Sequence, residues 1–332
     1  MLKKITLSII ITSLSISPSN AINYPTALIK DNSYNYIVNI YDEKTRAANC
    51  SGVVYESIYI LTAAHCVVNF AQSEKIIVEK NNGEKRSVVA ILGHSNYRGI
   101  FSGDDIGLLL INRKFNVSNI KVTNLNESEK SLKLYKEKLI LAGYGLNENR
   151  EESKSLATAT QRDISDKGVS IIGEIFNKNK MIAAGKWERK IAKYSGACEG
   201  DSGGGLFTAE RTPTLIGLVS FGSVDCANGE PTVYTKVGYY YPWIKESKAL
   251  LSNSISKMEL SGAENAINIK TSPYLRDLLI LCEGKPENSE KGIIRMKVLA
   301  PLFEITNVSK GRYLCLVTAA GGIIHKQELS VI

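Results

Sequence analysis

Short apolar runs separated by turn-forming residues dominate the chain and constrain its fold more than any other feature. Between residues 34 and 237 the runs are bounded by Asn, Gly and Ser, as at 36–41, 138–142 and 214–221. Sustained helical periodicity appears only at 241–251, near the end of this region. Many short strands with regularly spaced turn signals are typical of antiparallel barrels and sandwiches. The sequence therefore predicts an all-β protein.

A glycine-rich run at 200–205, GDSGGG, is the strongest chemical signal in the chain. Glycine recurs where the backbone adopts unusual dihedral angles or closely approaches a ligand. A tight loop of this composition can expose the hydroxyl of Ser202 while aiming backbone N–H groups at one point. An oxyanion hole requires that arrangement, so Ser202 is a candidate nucleophile.

Candidates for a base and an acid precede this serine. The chain has three histidines. One of them, His65, lies in LTAAHC at 61–66, directly after the strand-like run 58–60. Some 40 residues later, Asp104 and Asp105 lead into an apolar run. A hydroxyl becomes a useful nucleophile when an imidazole takes its proton and a carboxylate orients that imidazole. The order His, Asp, Ser is one of the known convergent arrangements.

In these strings the chain resembles the trypsin- and chymotrypsin-like serine proteases. LTAAHC, DIGLLL at 105–110 and GDSGGG occur in the family's order and at roughly its spacing. Weaker matches in register are HSNY at 94–97, GYG at 143–145, SFG at 220–222 and YPWI at 241–244. The resemblance covers residues of about 22 to 252 and implies two six-stranded antiparallel β-barrels. It places the active site in the cleft between them, with His65 and Asp105 on the first barrel and Ser202 on the second.

The resemblance also implies a role for each residue of the site. Ser202 would attack a peptide carbonyl, His65 would act as general base and Asp105 would orient His65. The family motif places the carboxylate directly before the apolar run, which favours Asp105 over its neighbour Asp104. The N–H groups of Gly200 and Ser202 would form the oxyanion hole. No metal or organic cofactor is called for.

The first 21 residues, MLKKITLSIIITSLSISPSNA, read as a secretory signal peptide. Two lysines precede an apolar stretch that is too short and too interrupted to span a bilayer, and small residues end it. We therefore expect a secreted protein, extracellular or in transit through a periplasm, with no membrane insertion. The Lys-, Ile- and Asn-rich composition and the lysine-led signal favour a bacterial origin.

Cleavage after Ala21 would create an amino terminus at Ile22. In the resembling family the buried carboxylate next to the nucleophile, here Asp201, pairs with a newly made terminal ammonium, usually that of Ile. The usual Arg-Ile-Val-Gly-Gly junction is missing from this chain. We therefore expect Ile22 and Asp201 to be the activation pair, with signal cleavage as the activating step.

Six cysteines, an even number, are expected to pair in an oxidising compartment, although the sequence alone leaves the pairing open. The resemblance implies Cys50 with Cys66 and Cys198 with Cys226, which leaves Cys282 for Cys315. Ala183 stands where the family has another cysteine, in MIAAG at 181–185.

The resemblance places Gly196 at the floor of the specificity pocket, Gly222 at its mouth and Thr232 on its wall. Ser220, Phe221 and Gly222 would align the substrate backbone. Without a carboxylate at the floor, a basic side chain would be buried unpaired, so small or medium apolar side chains are expected. If the alignment with the family shifts in this loop, Glu199 or Glu230 could reach a basic substrate side chain. A preference for Arg or Lys is then the alternative.

The character of the chain changes after residue 252. A polar, Ser-rich linker is expected at 253–265 and a small disulfide-linked β-sandwich at 266–332. Tyr313, two residues before Cys315, and Cys282 in an earlier strand resemble the tyrosine corner and inter-sheet bridge of immunoglobulin-like domains. The core Trp of such domains is absent, and another disulfide-linked β domain is the alternative. This domain could bind substrate, a cell surface or the export machinery, or simply stabilise the protease.

The net charge of +8 raises the question of nucleic-acid binding. No block of Lys and Arg resembles a reading motif and the aromatic residues are not interleaved with basic ones, so solvated surface charge is the better account. The expected partners are protein or peptide substrates of a monomer. An inactive homologue that acts in binding or adhesion is the alternative function.

Overall fold

The computed structural model describes most of the chain, and the statements below concern these residues. They are 22, 27–28, 33–46, 49–70, 73, 75–118, 120–146, 155–189, 192–222, 230–256, 259–264, 266–270, 278–286, 292–298, 302–306, 308–319 and 322–332. The expected signal peptide, residues 1–21, and Cys226 lie outside the described residues.

The first part of the chain forms a closed barrel. Its strands follow a two-residue strand, β1 (Ala27–Leu28). They are β2 (Ile37–Asp42), β3 (Cys50–Tyr55), β4 (Tyr59–Thr62), β5 (Ile76–Lys80), β6 (Lys85–Gly93) and β7 (Gly107–Ile111). The barrel closes in the order β2-β3-β4-β7-β6-β5, with a short helix, α1 (Ala64–Asn69), after β4. Many of its β-branched and leucine side chains, including Ile37, Val53, Ile60 and Leu108, are fully buried. The predicted first six-stranded barrel is confirmed.

The second part forms a seven-stranded antiparallel sheet. Its strands are β8 (Leu139–Gly143), β9 (Ala157–Gln161), β10 (Met181–Ala184), β13 (Gly205–Thr208), β14 (Leu215–Phe221) and β15 (Thr232–Lys236), together with β1. The order is β1-β9-β8-β13-β14-β15-β10. Two helices, α2 (Leu125–Tyr135) and α3 (Gly168–Ile172), and a hairpin of β11 (Lys186–Glu188) and β12 (Lys193–Ser195) flank it.

This second sheet differs from the expected closed six-stranded barrel. Residues beyond β9 and β10 link its two sides, since Gly185 N–H donates to the Arg162 carbonyl at 3.0 Å and Ile164 N–H to the Ala183 carbonyl at 2.8 Å. Regular strand pairing is not sustained there, and Asp163 and Ala184 form an isolated bridge. The extra strand, β1, pairs along β9. The sheet therefore curves toward closure as a half-barrel.

The last part of the chain holds a long helix and two small sheets. The helix α4 (Tyr241–Ser256) is followed by β16 (Glu259–Ala263), β17 (Ala266–Lys270), β18 (Leu278–Pro286), β19 (Gly292–Val298), β20 (Leu302–Thr306), β21 (Gly311–Ala319) and β22 (Gly322–Val331). The sheets have the orders β16-β17-β20 and β19-β18-β21-β22. The segment expected to be a linker, 253–265, thus contains the last turn of α4 and all of β16.

The disulfide of this region lies within one sheet. Cys282 and Cys315 face each other across the paired strands β18 and β21 and are joined by a disulfide. The expected pairing is confirmed, but the expectation that it bridges two sheets is wrong, because both cysteines belong to neighbouring strands of the four-stranded sheet. The Tyr313 hydroxyl donates to the Ser309 carbonyl at 2.9 Å, which is the hydrogen bond of a tyrosine corner.

The helix α4 connects the tail to the first barrel. Ser252 near its end shares a 2.5 Å hydrogen bond with the Tyr59 hydroxyl of β4, and Lys248 pairs with Glu56 at 2.8 Å. Ile244 and Leu251 of the helix are fully buried. Among the residues that the structure describes, no helix has both the length and the apolar composition needed to cross a membrane.

Candidate active site

The position of His65 is set by the close approach of α1 to β7. A Cβ atom on Gly107 would lie 2.5 Å from a methyl group of Val67, so a side chain there would push the helix away. The disulfide between Cys50 and Cys66 ties the same helix to β3. His65 follows the extended residue Ala63 at the start of α1 and keeps 19% of its side chain exposed. The imidazole is thus held on a fixed element at the edge of the first barrel.

Asp105 lies beneath His65 and binds it twice. The His65 backbone N–H donates to one carboxylate oxygen at 2.9 Å, and ring atom Nδ1 lies 2.8 Å from the other. Because an ionised carboxylate only accepts hydrogen bonds, this contact places the ring proton on Nδ1. Nε2 then carries the free lone pair that a general base needs.

Two residues of the second sheet complete the surroundings of Asp105. The Ser220 hydroxyl donates to the Asp105 carboxylate at 2.6 Å, and the Thr235 hydroxyl donates to its backbone carbonyl at 2.8 Å. Asp105 is fully buried, so the bonds from Ser220 and His65 replace the water that its carboxylate loses. From the sequence, Ser220 was expected only to align the substrate backbone, and Thr235 was not expected to contact the site. No local pattern marks either contact, because both residues lie more than 100 positions from Asp105.

Asp104, the alternative acid, has different partners. Both of its carboxylate oxygens lie 2.9 Å from Lys180 Nζ, and one accepts a 2.8 Å hydrogen bond from the Tyr240 hydroxyl. His94 Nδ1 is 4.0 Å from the same carboxylate, and burial lowers the pKa of that imidazole. Asp104 therefore belongs to a separate ion-pair cluster beside the site.

The glycine-rich run forms a tight loop around Ser202. Gly200 has φ +91° and Gly203 has φ +79°, both in the left-handed region that favours glycine. A Cβ atom on Gly203 would lie 2.1 Å from the Thr62 hydroxyl, so the loop could not pack against β4 with a side chain there. Ser51 N–H donates to the Ser202 carbonyl at 2.8 Å. These contacts hold the serine between the first barrel and the second sheet.

One cavity joins the candidate base, nucleophile and oxyanion donors. It has a volume of about 950 Å³, and His65, Gly200 and Ser202 all line it. The disulfide residue Cys50 and the exposed Glu199 line the same space. The structure therefore places the three predicted groups on a single cleft.

Asp201 is fully buried and accepts two backbone hydrogen bonds. Gly145 N–H donates to it at 2.7 Å and Cys198 N–H at 2.8 Å. Burial raises the pKa of this carboxyl to about 7, and the two hydrogen bonds oppose the rise. Within the described ranges no cationic side chain pairs with it. A buried carboxylate in this state lacks a counter-charge.

Ile22 lies in the core of the second sheet. Its side chain is fully buried and belongs to the hydrophobic cluster that includes Leu139 and Leu141 of β8. The last residue of that strand, Gly143, packs so tightly on Asp201 that a Cβ atom there would lie 2.2 Å from the carboxylate. Ile22 has φ +71°, a strained value for a β-branched residue. Both members of the expected activation pair are therefore buried, and each is linked to β8, Ile22 through the shared hydrophobic cluster and Asp201 through Gly143.

Thr232 occupies the predicted specificity pocket. It is fully buried, and its hydroxyl accepts a 2.7 Å hydrogen bond from Ala197 N–H. A Cβ atom on Gly196 would lie 2.8 Å from that hydroxyl and one on Gly222 would lie 3.7 Å from it, so the three predicted pocket residues come together. Glu199 and Glu230 are both exposed.

A disulfide and an aromatic pair lie next in sequence to the predicted pocket residues. Cys198 is disulfide-bonded, and its expected partner Cys226 lies outside the described residues, as does the segment 223–229. Phe221, which follows Ser220, makes an edge contact with the exposed Phe101 at 5.1 Å between ring centres.

Comparison with known proteins identifies the same region. The sequence model described as "Trypsin" matches residues 26–244. The chain is 29% identical over 232 residues to "CLIP domain-containing serine protease C9" of Anopheles gambiae, which covers 62% of each chain. It is 27% identical over 210 residues to "Chymotrypsin-like serine proteinase" of Haliotis rufescens, which covers 59% of this chain and 79% of that protein.

A further relative is "Clotting factor G beta subunit" of Tachypleus tridentatus, 27% identical over 238 residues, which are 64% of this chain and 75% of that protein. The chain spans under two thirds of the Anopheles protein's length. These relatives are animal proteins and give no support to a bacterial origin.

Proposed function

The chain belongs to the trypsin family of serine endopeptidases, and from this premise we propose that it hydrolyses peptide bonds through Ser202, His65 and Asp105. One observation carries the proposal: the buried Asp105 holds His65 by two hydrogen bonds at the edge of the cavity that Ser202 also lines. A positioned imidazole beside a serine in a glycine-rich turn is the arrangement that activates a hydroxyl.

The reaction would proceed in two halves. Ser202 Oγ attacks the peptide carbonyl while His65 Nε2 takes the hydroxyl proton, and the carbonyl oxygen becomes an oxyanion held by the N–H groups of Gly200 and Ser202. His65 then protonates the leaving amine as the C–N bond breaks, which leaves an acyl-enzyme. Water attacks the ester with His65 as base, and the acid product and the Ser202 hydroxyl are released.

We expect the substrates to carry small or medium apolar side chains on the acyl side of the cleaved bond. The support is Thr232, whose hydroxyl lies close to Gly196. Glu199 and Glu230, the alternative partners for a basic side chain, are exposed. Burial of an Arg or Lys side chain beside Thr232 would leave its charge unpaired.

Secretion and activation would occur together. Residues 1–21 would direct export, to the extracellular space or through a periplasm, and their removal would expose the Ile22 ammonium to the buried Asp201. The support is the burial of both residues around β8. Sequencing the amino terminus of the active enzyme tests this step, since a start near Leu28 or later would contradict it.

The tail would form an immunoglobulin-like sandwich. The support is its seven strands in two sheets and the Tyr313 hydrogen bond to Ser309. With the bridge inside one sheet, this would be a variant of that architecture. A protease domain over 22–252 would then be followed by a domain that contacts substrate, a cell surface or the export machinery.

A phosphonylating reagent specific for activated serines tests the peptidase proposal. The secreted protein should be labelled at Ser202 and should cleave peptides, while Ser202→Ala should do neither. His65→Ala should keep the serine but lose labelling, because the hydroxyl would lack its base. A folded wild-type protein that resists the reagent would instead favour the inactive binding homologue.

A further inference from the structure

Ser51 is fully buried in β3, and the sequence analysis gave it no role. Its backbone N–H donates to the Ser202 carbonyl at 2.8 Å. Its hydroxyl donates to the Gly200 carbonyl at 2.9 Å and accepts a hydrogen bond from Tyr144 N–H at 2.9 Å. One side chain of the first barrel therefore joins the turn that holds the oxyanion donors to the segment that follows β8.

The bond to Gly200 acts on a peptide that could otherwise rotate. Gly200 has φ +91° and no side chain, so its own conformational preferences do little to hold the orientation of its N–H. The peptide before it is held on one side, because Leu146 N–H donates to the Glu199 carbonyl at 2.7 Å. The peptide after it is held on its carbonyl side by the Ser51 hydroxyl and on its N–H side by the Cys198 carbonyl, which accepts from Asp201 at 3.0 Å. These bonds together restrict rotation about both backbone bonds of Gly200.

Removal of the hydroxyl would leave two buried polar groups without their partner. The Tyr144 N–H bond to Ser51 is buried, and the space around Ser51 is tight, since a Cβ atom on Gly204 would lie 3.3 Å from the Ser51 Cβ. A carbonyl that loses its donor favours rotation toward another partner or toward solvent. For Gly200, which lines the open cavity, rotation of the Gly200–Asp201 peptide would shift the Cα atom and, through it, the N–H on the preceding peptide.

We infer that Ser51 is a positioning residue for the oxyanion hole: its hydroxyl holds the Gly200–Asp201 peptide and so fixes the Gly200 Cα, from which the N–H points into the cleft. This rests on the proposed peptidase function and adds a requirement that neither the triad nor the glycine-rich turn supplies. Ser51 touches no reacting atom and acts only through Gly200. Its effect therefore falls on the transition state, where the oxyanion exists, and not on substrate binding.

The experiment compares Ser51→Ala and Ser51→Gly with the wild type in the full secreted protein. Both variants remove the hydroxyl, and the glycine variant has no side chain to pack badly. Loss of a direct oxyanion donor costs about 10² to 10³ in kcat, so loss of its support should cost roughly tenfold, with KM within about twofold. The inhibition constant of a peptide boronic acid, whose tetrahedral adduct occupies the hole, should rise in parallel with the loss in kcat. Ser51→Thr, which keeps the hydroxyl, should recover most of kcat.

Thr208→Val is the matched control. The Thr208 hydroxyl is also buried, accepts from a backbone N–H (Thr214, 2.9 Å) and donates to an oxygen (Glu210, 2.7 Å), but it lies at the far end of β13. The Thr208→Val variant should have a lower melting temperature than the wild type, with unchanged kcat and unchanged affinity for the boronic acid.

Three outcomes would overturn the inference. One is a folded Ser51→Ala or Ser51→Gly protein with the kcat of the wild type. Another is a Ser51 variant whose KM alone changes, or whose loss of kcat is no larger than that of Thr208→Val. The third is failure of both variants to fold, which would show that the hydroxyl serves stability alone. Failure of the proposed function is a separate result, since the wild-type protein would then show no Ser202 labelling and no cleavage.

Discussion

Two neighbouring aspartates illustrate how much a single residue's surroundings matter. Asp105 accepts hydrogen bonds from His65 and Ser220, whereas Asp104 pairs with Lys180 and Tyr240. Both side chains are buried, so each needs its own partners. The two side chains are chemically identical and differ only in which groups they contact. For this reason the residue type alone could not choose between them as the catalytic acid, and only the family motif favoured Asp105.

Asp105→Asn should therefore abolish most of the activity. An amide in place of the carboxylate can donate to His65 Nδ1 and favours the wrong tautomer, a change that costs about 10⁴ in kcat in Ser-His-Asp proteases. Asp104→Asn is the matched control and should keep kcat within about tenfold while destabilising the fold, because it leaves Lys180 with a weaker partner. Steady-state kinetics and thermal melting measure both effects. Equal losses of kcat in the two variants would contradict this assignment.

Thr232 should limit the size of the accepted side chain. Thr232→Gly removes the group closest to Gly196 and should raise kcat/KM for Phe or Tyr relative to Ala by about tenfold or more, since each pocket methylene is worth about 10- to 200-fold in discrimination. Thr232→Ser, which keeps the hydroxyl that accepts from Ala197, should change the ratio less. A peptide-library profile measures the shift. A wild-type profile dominated by Arg or Lys would refute the proposed preference.

At the scale of elements, each of two disulfides joins different parts of the fold. The disulfide Cys50–Cys66 joins β3 to the helix that carries His65. The disulfide Cys282–Cys315 joins two neighbouring strands of the tail. The even number of cysteines and the resemblance predicted both pairs. Whether the tail bridge spans one sheet or two depends on strand order, and strand order is set by contacts between segments far apart in the chain.

The Cys282→Ala/Cys315→Ala double variant should destabilise the tail and spare peptide cleavage. Loss of a native disulfide in a small domain costs about 2 to 5 kcal/mol, and neither cysteine lies near the cavity of the site. Limited proteolysis and thermal unfolding should show earlier loss of the tail with kcat/KM unchanged. The comparison variant, Cys50→Ala/Cys66→Ala, should lower kcat/KM, because α1 would lose its anchor. A tail that melts as in the wild type would contradict the prediction.

At the scale of the whole molecule, a single covalent event at the start of the chain would organise the site. Ile22 is buried beside β8, and Asp201 lies against the end of the same strand, next to the nucleophile. With residues 1–21 still attached, Ile22 has no terminal ammonium to offer. Burial then raises the pKa of Asp201 to about 7, above its ordinary 3.8.

The uncleaved chain should therefore lose stability as the pH rises. A raised carboxyl pKa means that the folded state binds the proton more tightly than the unfolded state, so the contribution is full below about pH 4 and is lost as the pH approaches 7. Each unit of pKa difference corresponds to about 1.4 kcal/mol. The melting temperature of a Ser202→Ala protein that retains residues before Ile22 should fall over this range.

Two comparisons complete this test. The same protein beginning at Ile22 should lose less stability over the range, because the new ammonium favours the ionised carboxylate. Asp201→Asn in the uncleaved form should flatten the dependence by removing the titrating group. Parallel melting curves for the cleaved and uncleaved proteins would rule out pairing between Ile22 and Asp201.

The sequence by itself determined the β-rich class and the order of the triad candidates, and its resemblance to the trypsin family added the closed first barrel and the cysteine pairs of β3 and the tail. Those features rest on local composition and on motif strings that stand together in the chain. The tertiary structure decided the half-barrel, the in-sheet tail bridge and the hydroxyl contacts of Ser51 and Ser220. Ser51 meets Gly200 across 149 positions and Ser220 meets Asp105 across 115. Such contacts are made when separate elements pack together, and no periodicity within one element encodes them.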